Sequence, residues 1–345
     1  MRPLAQGSSR VLLAGLCGLL GVGCAKTERV DSETGGVAAP IRAVFLADSH
    51  IIGPQYDCCS ESEGLDNDSI MKTPDRLRAV VETINAMNPQ PDRVFLLGDV
   101  LHDAHHGTDL ATYTEQETAF SRAAGILEEL QAPLHTVWGN HDYEVRCGGG
   151  EGHHSRSFTH GLFERFFDAP TTDSFVDGGW RFVLLNSQLG PTWDASSDRC
   201  NTSMGSYGEA QLAWLDEELA AGEPTVVMSH HHMIASTAAN ENDGPHPDLS
   251  TVLGRHENTV IHLAGHLHRW VDLPPTDVHP VRHLIMGATR YDTDNFWTAE
   301  FAADGSHVIR DYDKSRWGTT CSDTWSYGDE WSSVVGADEE GDCGS

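Results

Sequence analysis

Leu134-His135-Thr136-Val137-Trp138-Gly139-Asn140-His141-Asp142 runs from a short apolar segment straight into a polar turn. The first five residues have the length and composition of a buried strand. The turn then sets an amide oxygen, an imidazole and a carboxylate on successive residues. Four other clusters repeat the pattern: Asp48-Ser49-His50, Gly98-Asp99 with Asp103, His230-His231-His232, and Gly265-His266-Leu267-His268. Each also follows an apolar run, respectively Ile41 to Ala47, Arg93 to Leu97, Pro224 to Ser229 and Thr259 to Ala264. In open α/β sheets ligands bind at the carboxyl ends of strands, so the five clusters point to one shared site.

The intervening segments fit that picture. Thr73-Pro74 opens a helix, Thr as a cap and Pro at the first position, with Leu77, Val80, Val81, Ile84 and Met87 on one face. A second helix is expected from about Thr114 to Leu130. Strand, helix, strand, helix, strand is the rhythm of a largely parallel sheet. Further on, Phe158 to Phe167 predicts a short amphipathic helix. Trp180 to Asn186 predicts a strand hairpinned with Ser174 to Val176. Helices are expected over Gly208 to Ala221 and Asp248 to Arg255, then antiparallel strands over Val281 to Met286, Phe296 to Ala303 and Ser306 to Tyr312. Trp138, Trp180 and Trp214 are core candidates, and Trp317, Trp325 and Trp331 would pack a tail onto the domain.

A chain of 345 residues with 39% hydrophobic and 21% charged residues can bury a sizeable core. Its formal net charge of -30, from 22 basic and 52 acidic residues, repels polyanions and argues against a nucleic-acid partner. Residues 1–23 carry Arg2 and Arg10 before an apolar stretch, Val11 to Val22, too short to span a bilayer comfortably. This is the pattern of a secretory signal. Gly21-Val22-Gly23-Cys24 resembles a bacterial lipobox, with Leu20 one place further back than that pattern prefers. The expected product is an exported protein of the bacterial periplasm or outer membrane. It is held there by a lipid on Cys24, or released by ordinary cleavage near Gly23. Residues 24–40 read as a flexible tether, 41–314 as the folded domain, and 315–345 as an irregular tail containing Cys321 and Cys343. Six cysteines lie beyond Cys24, and in an exported chain that predicts disulfides whose pairing the spacing does not select.

Brought together, the strand ends would supply Asp48, Asp99, Asn140, His50, His230, His266 and His268. Imidazole and carboxylate ligands without thiolate suit Zn, Fe or Mn. Seven ligands are too many for one tetrahedral ion and suit two that share a carboxylate. Such a pair clamps an in-line phosphoryl displacement and holds hydroxide, a strong nucleophile at neutral pH. His102, His105, His106, His153 and His154 read as solvated loop histidines, with substrate contact or adventitious metal binding as the alternative.

The ordered motifs D-x-H, G-D-x-x-D, G-N-H-D, a histidine after a strand, and G-H-x-H resemble the calcineurin-like metallophosphoesterase superfamily over about Ile41 to Tyr312. The resemblance implies an α/β four-layer sandwich, two packed mixed β-sheets flanked by helices. It implies that Asp48, His50, Asp99 and His268 hold one divalent or trivalent metal ion, and that Asp99, Asn140, His230 and His266 hold a second. His231 stays open as the alternative to His230, because His232 stands where relatives carry Pro. His141 would be the catalytic acid and Asp103, taken as the second Asp of G-D-x-x-D, the carboxylate that orients it. Asp142 would serve the turn. Taking Asp103 as the residue after G-D-x-x likewise argues against the tyrosinate iron site of purple acid phosphatases. Departures from G-D-x-x-D-R-G and G-N-H-E argue against the protein phosphatases that carry those motifs. A small phosphodiester or phosphomonoester remains as substrate. The alternative is a catalytically silent surface lipoprotein that uses the same fold for binding.

Overall fold

The computed structural model describes residues 39–56, 69–103, 105, 107–150, 152–232, 247–276 and 280–312. Several expectations fall outside the described residues: the signal and most of the tether, Cys58 and Cys59, His106, and the tail with Cys321, Cys343 and its three tryptophans.

Strands β1 (Ile41–Leu46), β2 (Arg93–Leu97) and β3 (Leu134–Val137) form a parallel core. Strands β10 (Trp297–Phe301) and β11 (His307–Asp311) extend it antiparallel beyond β1, giving the order β11-β10-β1-β2-β3. The second sheet runs β4-β5-β6-β7-β9-β8. It comprises β4 (Asp173–Asp177), β5 (Trp180–Leu184), β6 (Thr225–Met228), β7 (Thr259–Ala264), β8 (Val271–Leu273) and β9 (Arg282–Ile285). Both sheets are therefore mixed.

Alternation along the strands sorts the core into layers, because successive side chains point to opposite faces. Ala43, Phe45, Phe95 and Leu97 face Phe182, Leu184, Val226, Met228, Ile261 and Leu263 across the gap between the sheets. Val44, Leu46, Val94 and Leu96 face outward. They are covered by α1 (Thr73–Ala86), α3 (Ala119–Leu127) and α4 (Arg156–Phe167), with α2 (Leu110–Glu115) contributing Tyr113. On the far side, Val183, Leu185 and Val227 lie under α5 (Glu209–Leu219) and α6 (Leu249–Leu253). The result is the expected four-layer sandwich. Trp138 and Trp180 are fully buried and Trp214 packs half-buried against the outer layer.

Two local expectations need correction. The single helix from Thr114 to Leu130 is two. Thr118 breaks it: its hydroxyl accepts from Ser121 N at 3.4 Å, while Ser121 Oγ accepts from Thr118 N at 2.9 Å. This reciprocal cap starts a new helix. Val281 to Met286 is not purely antiparallel, since β9 runs parallel to β7 and antiparallel to β8. The three-residue β8 was not anticipated.

Candidate metal centre

Backbone conformation marks the site before any side chain is considered. Among the described residues six non-glycines have positive φ, and five are Asp48 (53°), His50 (48°), Asp99 (46°), His266 (73°) and His268 (53°). Left-handed backbone is uncommon outside glycine and concentrates where function holds it. Three of the five loops also carry a glycine pressed against a candidate ligand. A Cβ on Gly98, itself at φ 84°, would stand 2.5 Å from His230 Nδ1. One on Gly265 would stand 2.7 Å from Asp48 Oδ2. One on Gly139 would stand 2.9 Å from Asp99 Cγ, with Asp99 N and Oδ1 closer still. The Gly of G-D, G-N-H-D and G-H-x-H is thus required by space.

All seven expected ligands converge in two clusters. In the first, His50 Nε2 and His268 Nε2 are 3.0 Å apart, His268 Nε2 is 3.3 Å from Asp48 Oδ1, and His50 Nε2 is 3.6 Å from Asp99 Oδ2. In the second, Asn140 Oδ1 lies 2.9 Å from both His230 Nε2 and His266 Nδ1. His230 Nε2 is 3.3 Å from Asp99 Oδ2, so one oxygen of Asp99 reaches both clusters. Asp48, His50, Asp99 and His230 are essentially inaccessible to solvent.

The two adjacent histidines now separate. His230 Nδ1–H donates to Leu97 O at 2.9 Å, which leaves Nε2 for the cluster. His231 turns away, with Nδ1 against Ser187 Oγ at 2.8 Å and Gln188 Nε2 at 3.2 Å. Burial pulls the His230 ring down, but Asp99 and then Asp48 outweigh it and push it up to about 9. His50 and His231 are both held well below the ordinary imidazole range, first by burial and then by neighbouring rings.

His141 stands beside the first cluster, 4.7 Å from the His50 ring centroid. Its backbone N–H donates to Asp99 Oδ1 at 2.8 Å, and its Nδ1–H donates to His102 O at 3.0 Å. Asp142 closes the turn from beneath, accepting from Gly139 N at 2.7 Å, Leu101 N at 2.9 Å and Val100 N at 3.4 Å. Burial, then the charge of Asp99, pushes its carboxyl up to about 8.

Asp103 is exposed and forms no hydrogen bond to His141 among the described residues. It stands one place beyond the fifth position of G-D-x-x-D, which is His102. The reading of His102, His105 and His154 as solvated also needs correction. His102 stacks on His141 with centroids 4.9 Å apart. His154 is buried, with Nδ1 2.7 Å from Nδ1 of His105. Strict counting of the motif would have flagged His102. The disulfide expectation is met in one pair, Cys147–Cys200, which ties the loop after this turn to the loop preceding α5.

The donor set fits a pair of cations. Two imidazole nitrogens 3.0 Å apart need a proton or a cation between them. The ion pairs of buried Asp48 and Asp99 among the described residues are all to imidazoles, none to Lys or Arg. A cation at Asp99 would also relieve its repulsion of Asp142.

Comparison with known proteins agrees with the geometry. A family profile described as calcineurin-like phosphoesterase matches residues 41–270. A 3′,5′-cyclic-nucleotide phosphodiesterase of Nostoc sp. is 24% identical over 238 residues, 67% of this chain and 72% of that protein. The serine/threonine-protein phosphatase CPPED1 of Rattus norvegicus is 30% identical over 170 residues, 47% of each chain, so the match spans about half that relative's length. In fold, a dimetal phosphatase from Danio rerio superposes with a TM-score of 0.50 at 17% identity, over 79% of this chain and 99% of that one. With two mixed sheets, a shared-carboxylate double cluster and a profile spanning most of the folded domain, the chain belongs to the calcineurin-like phosphoesterases.

Proposed function

We propose that the chain hydrolyses a small phosphodiester or phosphomonoester at a dinuclear centre. Asp48, His50, Asp99 and His268 take one ion; Asp99, Asn140, His230 and His266 take the other. The observation that carries this reading is Asp99 Oδ2, 3.6 Å from His50 Nε2 and 3.3 Å from His230 Nε2, with His141 alongside. When bound, the ions supply positive charge to the phosphate and lower the pKa of water. The imidazole and carboxylate set suits Zn, Fe or Mn.

His141 is the general acid. The His102 carbonyl accepts from its Nδ1–H, so the ring is oriented with Nε2 free, and as the imidazolium, with a second proton on Nε2, it can give that proton to the leaving oxygen and return to the neutral ring. A well-positioned acid contributes about 10²–10⁴-fold in rate. The charge of the ions, and not the protein's net charge of -30, attracts the phosphate at short range. The name of the Nostoc relative makes a cyclic nucleotide the first phosphodiester to try. From the N-terminal pattern we further propose export, a folded domain over 41–314, and lipid attachment at Cys24.

The test is hydrolysis of bis(p-nitrophenyl) phosphate and p-nitrophenyl phosphate by the purified chain with Mn²⁺ or Zn²⁺. The ratio of the two rates separates diesterase from monoesterase. Two bound ions with turnover of neither substrate, nor of cyclic nucleotides, would refute the enzyme and leave the binding protein.

A further inference from the structure

His102 belongs to neither ligand set, yet the site is built around it. Its Nδ1 stands 3.1 Å from Nδ1 of His50. Its ring lies nearly parallel to His141, at an interplanar angle of 15°. Its backbone carbonyl is the acceptor for His141 Nδ1–H. Nitrogens of His50, His102 and His141 all fall within 4.8 Å of one another, which by distance alone would admit a third ion.

Tautomer chemistry argues against that ion. His50 Nε2 faces His268 and Asp99 in the first cluster. A neutral imidazole that offers its lone pair through Nε2 carries its proton on Nδ1. Binding another ion through Nδ1 would require an imidazolate. The Nδ1–H needs a hydrogen-bond acceptor instead, and His102 Nδ1 is at hydrogen-bond distance. The second cluster meets the same need differently, because His230 Nδ1–H donates to the backbone oxygen of Leu97. A backbone carbonyl survives any substitution at its own position. A side-chain acceptor does not.

We propose that His102 is a positioning residue acting in two directions. Its ring accepts from His50 and fixes Nε2 toward the first ion, and its carbonyl aims His141. This inference rests on the dinuclear reading. It predicts that replacing the ring weakens the His50 ion selectively, since the carbonyl remains and the His230 ion has its own support.

The experiment is competition of the full chain with a chromogenic chelator for Zn²⁺. His102→Ala should weaken one of the two ions by about 10–100-fold, as loss of an outer hydrogen-bond partner does, and leave the other within about threefold. His102→Asn supplies an acceptor close to the place of Nδ1 and should restore the weakened ion. If the alanine variant does not fold, His102→Phe takes its place with the same expectation, since it can stack on His141 but cannot accept. Wild-type affinity for both ions without the acceptor, equal weakening of both, or failure of Asn to restore would each overturn the proposal while the dinuclear centre stood. A wild-type chain that binds no ion would overturn the dinuclear reading, and this proposal with it.

Discussion

Gly139→Ala tests whether the glycine of the G-N-H-D turn is there for space. Gly139 has φ -113° and ψ -177°, a conformation open to any residue, so alanine adds no backbone strain. It does add a carbon 2.9 Å from Asp99 Cγ, with Asp99 N and Oδ1 nearer still. Carbon atoms pack at about 3.5–4.0 Å, so the Asp99 carboxyl and the backbone nitrogen beneath it both have to retreat by about 1 Å. They cannot do so freely, because Oδ1 accepts from His141 N and the residue already sits at φ 46°. Overpacking of this kind costs about 1–3 kcal/mol, and each kcal/mol lowers Tm by about 2–4 °C in a domain of this size. The larger effect is functional. The displaced oxygens serve both clusters, and a misplacement of about 1 Å costs on the order of 10²-fold in turnover. Thermal melts of the metal-free variant, metal counts and p-nitrophenyl ester hydrolysis read the three consequences. Gly161→Ala is the control: it lies in α4, its Cβ would meet nothing within 4 Å, and it should be neutral or slightly stabilising. If Gly139→Ala melted like the wild type, held both ions and kept turnover within about threefold, the close-approach reasoning would be wrong.

His141→Ala should keep both ions and lose about 10²–10⁴-fold in kcat; undiminished turnover would remove the acid. His230→Ala should release one ion, whereas His231→Ala should keep two, and metal analysis of the pair decides between them. Chelation should abolish hydrolysis and lower Tm, because ions held at about 1,000 times Kd contribute about 4 kcal/mol; an unchanged melt would count against resident metal. Replacing Cys147 and Cys200 together opens a link across 53 residues of sequence. The loop-entropy model puts that at about 4 kcal/mol, readable as a lower urea midpoint. Burial, then the neighbouring His232, drives the His262 ring down to about 3, against 6.5 for the free group. The unfolded chain therefore binds the extra proton in acid. The contribution of the neutral ring is complete above about pH 6.5 and falls by about 1.4 kcal/mol per unit as pH drops toward 3. A urea midpoint that declines from pH 6.5 to 5 as steeply in His262→Gln as in the wild type would refute this.

Most of the architecture was legible because strand periodicity and strand-end polarity are local signals. Val44 and Leu46 alternate with Ala43 and Phe45 whatever the rest of the chain does, and the two faces of β1 follow. Direction and partnership were not legible. Whether β9 joins β7 parallel or stands in an antiparallel meander depends on contacts far away in sequence, and the three residues of β8 are too few to show a period. The candidate ligands could be named because five motifs occur in order. The choice between His230 and His231 could not be made, since adjacent residues on a loop can each point inward. The structure separates them through Leu97 O on one side and Ser187 Oγ on the other. The role of His102 was missed because its signal is a departure from a motif, and departures are visible only when positions are counted strictly.

The concentration of left-handed backbone at the site argues that the loops are shaped by what they hold. A left-handed conformation costs a non-glycine residue roughly 1–2 kcal/mol. Five such residues, Asp48, His50, Asp99, His266 and His268, therefore cost on the order of the whole stability of a typical domain, about 5–15 kcal/mol. Asp and His tolerate the region better than most residues, which lowers the sum without removing it. The geometry it secures is specific: His266 N donates to both oxygens of Asp48 at 3.1 Å, and His141 N donates to Asp99 Oδ1 at 2.8 Å. Each bond turns a carboxylate so that its remaining lone pairs face the imidazoles of other strands. A turn selected for stability alone would have placed glycine or asparagine at these positions. A turn that must aim a charged oxygen between two histidine clusters has to accept the strain.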